Sequence, residues 1–189
     1  ADGTLAVWYM IKTNQFRAEF LDPIKPAEDG WHAVATADFN KDGKIDIVFQ
    51  KDDGALAVWY MDQSKMVNSG YFNPARPGEE GWKVVGAADI NCDGKPDLVF
   101  QQEDGTLAVW YLDGLALKEG ALFEPANPGD KGWRVVSVLD LDLDRKADLV
   151  FQHEGDGTLA AWLMDGITMK AGQLLNPSQP GGTWKVVAP

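Results

Sequence analysis

The sequence predicts an all-β fold built from one repeated unit, and three recurring segments predict it. The segment DGTLAVWYM starts at Asp2 and returns in nearly the same letters at Asp53, Asp104 and Asp156, at intervals of 51, 51 and 52 residues. A second segment, GWxVV, recurs in the later units and is slightly altered in the last; its first copy starts at Gly30 and has Ala33 in place of the first valine. The third is an aspartate-rich loop that runs into a short apolar stretch ending in glutamine. A fixed period of this kind indicates an array whose units bury their apolar faces against each other. Residues 1–189 are therefore predicted to form one domain.

The unit that starts near residue 81 shows the predicted order of strands. Small and β-branched residues follow its tryptophan, as is typical of a strand. The Asp-Gly pair at Asp104 and Gly105 favours a hairpin turn, because Gly accepts positive φ, and Asp113 with Gly114 predicts another turn. The predicted strands are residues 82–88, 97–101, 106–112 and a weaker fourth strand at 120–124.

The third strand of this unit is apolar on both faces, which indicates how the sheets pack. Leu107 and Val109 point to one face, and Ala108 and Trp110 point to the other. A sheet with one solvated face would alternate apolar with polar residues, so this strand belongs to sheets stacked face to face. Four-stranded sheets of about fifty residues, stacked radially, are β-propeller blades. A β-solenoid is the rival fold, but its coils are usually shorter and lack hairpin turns. We predict a β-propeller of about four four-stranded blades.

One blade is predicted to be incomplete. The first strand of the chain, residues 4–9, matches the third strands, whereas the last, residues 184–187, matches the first strands. No second strand follows Val187. Because unpaired strand edges invite aggregation, we expect the two terminal strands to pair in one sheet and close the ring, within one chain or with a second copy. The alternative is part of a larger ring.

Composition excludes several classes of protein. The net charge of −12 argues against nucleic-acid binding, which needs basic patches. The sequence contains no run of eighteen apolar residues, so it predicts no membrane-spanning helix. Cys92 is the single cysteine, so no intrachain disulfide forms. The chain opens inside a repeat without Met or a signal peptide, and we expect it to be a processed or excised piece. Ten of the 29 acidic residues lie in the three aspartate-rich loops, and three divalent cations would halve the net charge.

The aspartate-rich loops are predicted to bind calcium, because they place oxygen-bearing side chains at every second position of a tight turn. No His or Cys recurs there, which disfavours zinc and copper. Flanking strands exclude an EF-hand. The plain alternative is an Asp/Asn-rich turn without an ion. In the third loop Arg145 replaces glycine and tolerates positive φ poorly, and the extra carboxylate of Asp142 is expected to compensate. The expected ligands are side-chain oxygens, plus backbone carbonyls of the lysines: Asp38, Asn40, Asp42, Lys44, Asp46, Asp89, Asn91, Asp93, Lys95, Asp97, Asp140, Asp142, Asp144, Lys146 and Asp148.

The three segments together resemble the FG-GAP/VCBS-type repeat. The resemblance lies in the D-x-N-x-D-G-x-x-D-L-V loop, the G-W-x-V-V strand before it and the D-G-T-L-A-V-W strand after it. This family occurs in the integrin α-subunit propeller, in fungal propeller lectins of the Psathyrella velutina type and in many secreted bacterial proteins. The resemblance implies a mostly structural calcium and a ring that usually has seven blades. This chain departs from it, with fewer than four complete units.

Eight tryptophans fall two to a unit, one on each first strand and one on each third strand. Core packing between blades explains most such residues. The functional alternative is sugar stacking on the aromatic rings, which the resemblance to propeller lectins favours. The candidate ligand-binding residues are Trp31, Trp82, Trp133 and Trp184.

We therefore expect a non-enzymatic, extracellular or secreted module that recognises a glycan or a cell-surface ligand. An enzyme is disfavoured, because the acids recur identically, His32 and His153 occupy non-equivalent positions, and no nucleophile motif occurs. The alternative is a structural or assembly module, in which homo-oligomers complete a ring. An accessory domain of a secreted carbohydrate-active enzyme is a further alternative.

Overall fold

The computed structural model describes residues 3–179 and 184–186, and this part of the chain is all-β, without a helix. No helix that could cross a membrane therefore occurs among these residues. The strands form four antiparallel sheets, one of two strands followed by three of four strands. The prediction of a repeated four-stranded unit is confirmed for three units.

The strands follow each other in the predicted order within every sheet, from first to fourth. Strand β1 pairs with β2, and β3–β6, β7–β10 and β11–β14 form the second, third and fourth sheets. The strands are β1 (Ala6–Ile11), β2 (Asn14–Phe20), β3 (Trp31–Ala37), β4 (Asp46–Lys51), β5 (Leu56–Asp62), β6 (Lys65–Tyr71), β7 (Lys83–Ala88), β8 (Asp97–Gln101), β9 (Leu107–Asp113), β10 (Ala116–Leu122), β11 (Trp133–Leu139), β12 (Asp148–His153), β13 (Leu159–Asp165) and β14 (Thr168–Leu174).

Strands β7 and β9 begin one residue after their predicted starts, and two other strands differ by more. The fourth strand of the unit near residue 81 begins at Ala116, four residues before the predicted start at Gly120. The turn after Asp113 reverses the chain at once, so Ala116 already pairs with Asp113, and a bulge between Leu117 and Glu119 accommodates the polar stretch. The first strand of the chain is Ala6–Ile11 instead of residues 4–9.

The sheets stack face to face, as the two-sided apolar pattern predicted. Val48 and Phe49 are neighbours on β4 and point to opposite faces, yet both are at most 1% exposed. One apolar cluster joins Val58 of the second sheet to Phe100 of the third, and another joins Val109 of the third to Phe151 of the fourth. The first strands β3, β7 and β11 lie beside one another. The second and third sheets are therefore each packed between two neighbouring sheets.

A buried glutamine at the end of each second strand bonds to the backbone of the next unit. The side-chain nitrogen of Gln101 donates to the carbonyl of Trp133 at 3.0 Å, and its oxygen accepts from the amide of Val135 at 3.0 Å. Gln50 and Gln152 make the same two bonds with the equivalent residues of the units that follow them. These glutamines fix the register between neighbouring sheets. The sequence showed the recurring glutamine but not its role.

The outer strands are also linked from sheet to sheet. Asp22 forms a parallel bridge with Lys65, and Asn73 forms the equivalent bridge with Ala116. In the first of these links, the amide of Met66 donates to the carbonyl of Asp22 at 2.7 Å. Four-stranded sheets are thus joined to their neighbours in two places, at the second strand by the glutamine side chain and at the fourth, outer strand by the backbone.

The predicted terminal pairing is not observed in the described residues. Residues 184–186 form no strand, which corrects the prediction of a strand at 184–187, and Val187 lies outside the described residues. The carbonyl of Trp184 and the amide of Val186 bond to the side chain of Gln152, both at 3.0 Å. These residues therefore lie where a next first strand would begin, but no described strand lies beside them to form a ladder. Within residues 3–179 and 184–186, β1 pairs with β2 alone.

Replacing Gln101 with leucine is expected to destabilise the protein by about 2 kcal/mol, because the buried amide of Val135 and carbonyl of Trp133 lose their partner. The matched control is Gln102→Leu, since the neighbouring Gln102 side chain makes no hydrogen bond in the described structure. Urea denaturation of both variants measures the difference. Equal free energies of unfolding for the two variants would show that the glutamine bonds do not stabilise the array.

Candidate functional site

The aspartate-rich loops join the first and second strands of each four-stranded sheet, and their side chains bond to the loop's own backbone. In the second loop, the carboxylate of Asp89 accepts from the amides of Asp93 at 3.0 Å and Gly94 at 2.7 Å. The side-chain oxygen of Asn91 also accepts from Asp93, at 2.9 Å. Asp93 in turn accepts from the amide of Lys95 at 2.9 Å. The alternating oxygens that the spacing predicted are therefore gathered on the inside of one turn.

The other two loops repeat this pattern bond for bond. Asp38 accepts from Asp42 and Gly43 in the first loop, and Asp140 accepts from Asp144 and Arg145 in the third. The fourth and sixth positions of each loop adopt positive φ, and these residues are Lys41, Gly43, Cys92, Gly94, Leu143 and Arg145. Arg145 stands where the other two loops have glycine, and it adopts a φ of 72°. The third loop thus keeps the geometry of the other two although arginine replaces the glycine.

The last aspartate of each loop is buried and ties the loop to the third strand of its sheet. Asp97 is 0% exposed, and its two oxygens accept from the amides of Ile90 and Leu112, each at 3.0 Å. Burial raises the pKa of Asp97 to about 6, and the two amide bonds offset part of that effect. Burial raises the pKa of Asp46 in the same way. Asp148 makes the equivalent pair of bonds with Leu141 and Met164.

The donor set of the loops fits a hard cation. In the third loop, one oxygen from each of Asp140, Asp142 and Asp148 lies within 4.8 Å of the other two. Oxygens bound to one calcium at about 2.3–2.6 Å can lie up to ~5 Å apart. In the first and second loops an asparagine stands in place of Asp142, so each offers one carboxylate fewer. These distances concern the protein's own atoms and leave the bound species as a proposal.

The loop lysines have a further contact that the sequence analysis missed. Their predicted role was a backbone carbonyl ligand, which stays a prediction. In the structure the ammonium of Lys95 pairs with Asp113 at 2.8 Å, and Lys146 pairs with Asp165 at 2.6 Å. Lys44 makes the equivalent pair with Asp62, at the end of the third strand of its sheet, at 3.2 Å. The signal was present in the sequence, because the third strand of each four-stranded sheet ends in an aspartate.

The tryptophan candidates occupy different surroundings. Trp31 and Trp82 line cavities of about 240 and 260 Å³ at equivalent places in the second and third sheets. Each cavity is also lined by the tryptophan of its third strand, Trp59 or Trp110, which the sequence analysis assigned to the core. Trp133 instead makes an edge-to-face contact with His153, with ring centroids 5.0 Å apart.

Trp184 is 73% exposed, and its backbone carbonyl bonds to Gln152. Its ring therefore lies in no cavity like those of Trp31 and Trp82 among the described residues. The structure brings two of the four predicted tryptophans into comparable sites and separates the other two from them.

Comparison with known families gives one match. The family model for an FG-GAP-like repeat matches residues 38–100 and again residues 89–151, so the two matches together cover residues 38–151. Each match spans an aspartate-rich loop, the strands that follow it and the next loop. The search of curated proteins found no match.

Proposed function

The chain belongs to the FG-GAP-like repeat family, and from this premise we propose that it is a non-enzymatic, extracellular recognition module with a propeller-type array of blades. Calcium bound in the three aspartate-rich loops stabilises the blades, and the aromatic cavities of the second and third sheets bind carbohydrate. The observation that carries the proposal is the threefold repetition of one loop geometry, together with an aromatic cavity that recurs in the second and third sheets.

Calcium is supported by the chemistry and placement of the loop oxygens. All the side-chain donors are carboxylate or amide oxygens, which calcium prefers. The last aspartate of each loop is buried against the third strand, so an ion held there would be coupled to the folding of the whole sheet. The proposed role of the ion is therefore structural.

The propeller arrangement is supported by the way in which neighbouring sheets are joined. The first strand β7 lies beside both β3 and β11, and the three four-stranded sheets are joined in order by a buried glutamine and an outer bridge. Repeating this relation would bring the last sheet toward the first. Closure of the ring is part of the proposal.

Carbohydrate binding is supported by the shape of the cavity in the third sheet. Trp82, Trp110 and Phe100 line it, and aromatic faces of this kind suit the apolar face of a pyranose. A Cβ atom on Gly120 would lie 3.7 Å from Cδ1 and 3.9 Å from Nε1 of Trp110. The glycine therefore leaves the edge of that indole ring accessible.

A glycan array probed with and without calcium tests the proposal. We expect the parent protein to bind a glycan at this cavity. Gly120→Val should weaken or abolish this binding, because the added methyl groups would cover the edge of Trp110. The control is Glu119→Val, which lies on the same edge strand but does not line the cavity. Absence of binding to every glycan would remove the carbohydrate part of the proposal.

A second candidate function, assembly, is favoured by the exposed face of the two-stranded sheet. Trp8 is 65% exposed, whereas Trp59, at the same place in the next unit, is 9% exposed. A second copy or closure of the ring would cover this face. Sedimentation velocity at several concentrations separates the two functions, because a monomer at all concentrations would count against assembly.

A further inference from the structure

Equivalent positions in the second and fourth sheets place a basic side chain beside the first-strand tryptophan. In the second sheet the ammonium of Lys51 lies 5.7 Å from the ring centroid of Trp31 and 2.5 Å from the carboxylate of Glu28. Attraction between a cation and an aromatic face, together with an ion pair, accounts for this placement. The pairing with Glu28 also raises the pKa of Lys51.

The fourth sheet fills the same position with a different basic residue. His153 stands 102 residues after Lys51, packs against Trp133 at 5.0 Å between ring centroids, and lies 3.4 Å from Asp130. Asp130 stands at the same repeat position as Glu28. Two sheets therefore place their own basic side chain between an aromatic ring and an acid.

The third sheet keeps the ring and the acid but lacks the basic side chain. Trp82 and Glu79 stand at the repeat positions of Trp31 and Glu28, while the position of Lys51 is taken by Gln102. Glu79 is exposed and forms no ion pair in the described structure, and the Gln102 side chain makes no hydrogen bond there. Trp82 also lies outside the strand, because β7 begins at Lys83, whereas β3 and β11 both begin at the tryptophan.

Space and charge at this position both suit a ligand cation. Glu79 and Trp82 line the cavity of about 260 Å³ and also a wider depression. Acids outnumber bases around that depression, and one of its bases, Arg76, is already paired with Asp53 at 3.3 Å. The charged residues that line it are Asp52, Asp53, Glu79, Glu80, Arg76 and Lys83.

We propose that Trp82 and Glu79 form a binding site for a primary alkylammonium group supplied by a ligand, in the position that Lys51 occupies in the neighbouring sheet. The ligand's ammonium lies over the Trp82 ring and pairs with Glu79, and its alkyl stem enters the aromatic cavity. This site goes beyond the proposed binding of carbohydrate and does not depend on it, since a neutral sugar would not use Glu79.

The test is an NMR titration of the full chain with n-butylammonium, followed at the indole N–H of Trp82, whose signal is assigned with Trp82→Phe. We expect a saturable chemical-shift change with a Kd in the millimolar range. We expect no change with n-butanol, which has the same alkyl stem without the charge. Glu79→Gln should weaken binding about tenfold, through loss of a charge-assisted bond. The control variant Glu119→Gln removes an exposed carboxylate that lines neither cavity, and it should bind as the parent does.

Two further variants exchange the sites between sheets. Gln102→Lys should abolish the shift at Trp82, because the chain then supplies its own ammonium, and Lys51→Gln should create a second site at Trp31. Titration with glucosamine and with Nα-acetyl-lysine methylamide distinguishes an amino sugar from a protein side chain, and tighter binding of either one supports the site. No saturable shift with any amine, an equal shift with butanol, or unchanged binding in Gln102→Lys would overturn the proposal.

Discussion

Replacing Asp97 with alanine is expected to destabilise the protein by about 3–5 kcal/mol, because the buried amides of Ile90 and Leu112 both lose their acceptor. The effect should persist in EDTA, since these bonds belong to the protein alone. Asp97→Asn keeps one acceptor oxygen and should cost less. Urea denaturation in the presence of chelator measures both variants.

The control for this substitution is Lys95→Ala in the same loop. The Lys95 side chain is one-third exposed and pairs with Asp113 at the surface, and such pairs contribute about 0.2–1 kcal/mol. If Asp97→Ala unfolds at the same urea concentration as Lys95→Ala, then the buried carboxylate does not hold the loop against the third strand.

Calcium is expected to raise the melting temperature of the protein by about 5 °C or more at saturating concentration, because the ion binds the folded loops better than the unfolded chain. A ligand at a hundred times its Kd contributes about 2.7 kcal/mol for one site, and a domain of this size gains about 2–4 °C for each kcal/mol. Magnesium should restore less stability after chelation, since it requires a tighter octahedral geometry. Scanning calorimetry in calcium, magnesium and EDTA measures the difference, and identical melting curves in all three would contradict a structural ion.

The loops could be predicted because their chemistry is local. Asp89, Asn91 and Asp93 lie within five residues, so the spacing itself sets the turn and its oxygens. The apolar pattern of β9 likewise indicated stacked sheets, since a strand that is apolar on both faces needs cover on both. Local patterns therefore gave the strand order and the candidate metal ligands.

Contacts between units could not be predicted in the same way. The bonds of Gln101 join it to residues 32 and 34 positions later, and they depend on how two sheets stack. The early start of β10 was hidden by the polar residues Lys118 and Glu119, which an exposed edge strand tolerates. Trp59 and Trp110 were assigned to the core because their cavities form only when the connecting loop folds over the sheet.

A calcium titration by isothermal calorimetry, on protein freed of metal with chelator, tests the central claim most directly. Three equivalent loops predict three calcium ions for each chain, and Asp89→Ala should reduce this number to two without unfolding the protein. Absence of calcium binding, or an unchanged number of ions in Asp89→Ala, would contradict the assignment of the aspartate-rich loops as calcium sites.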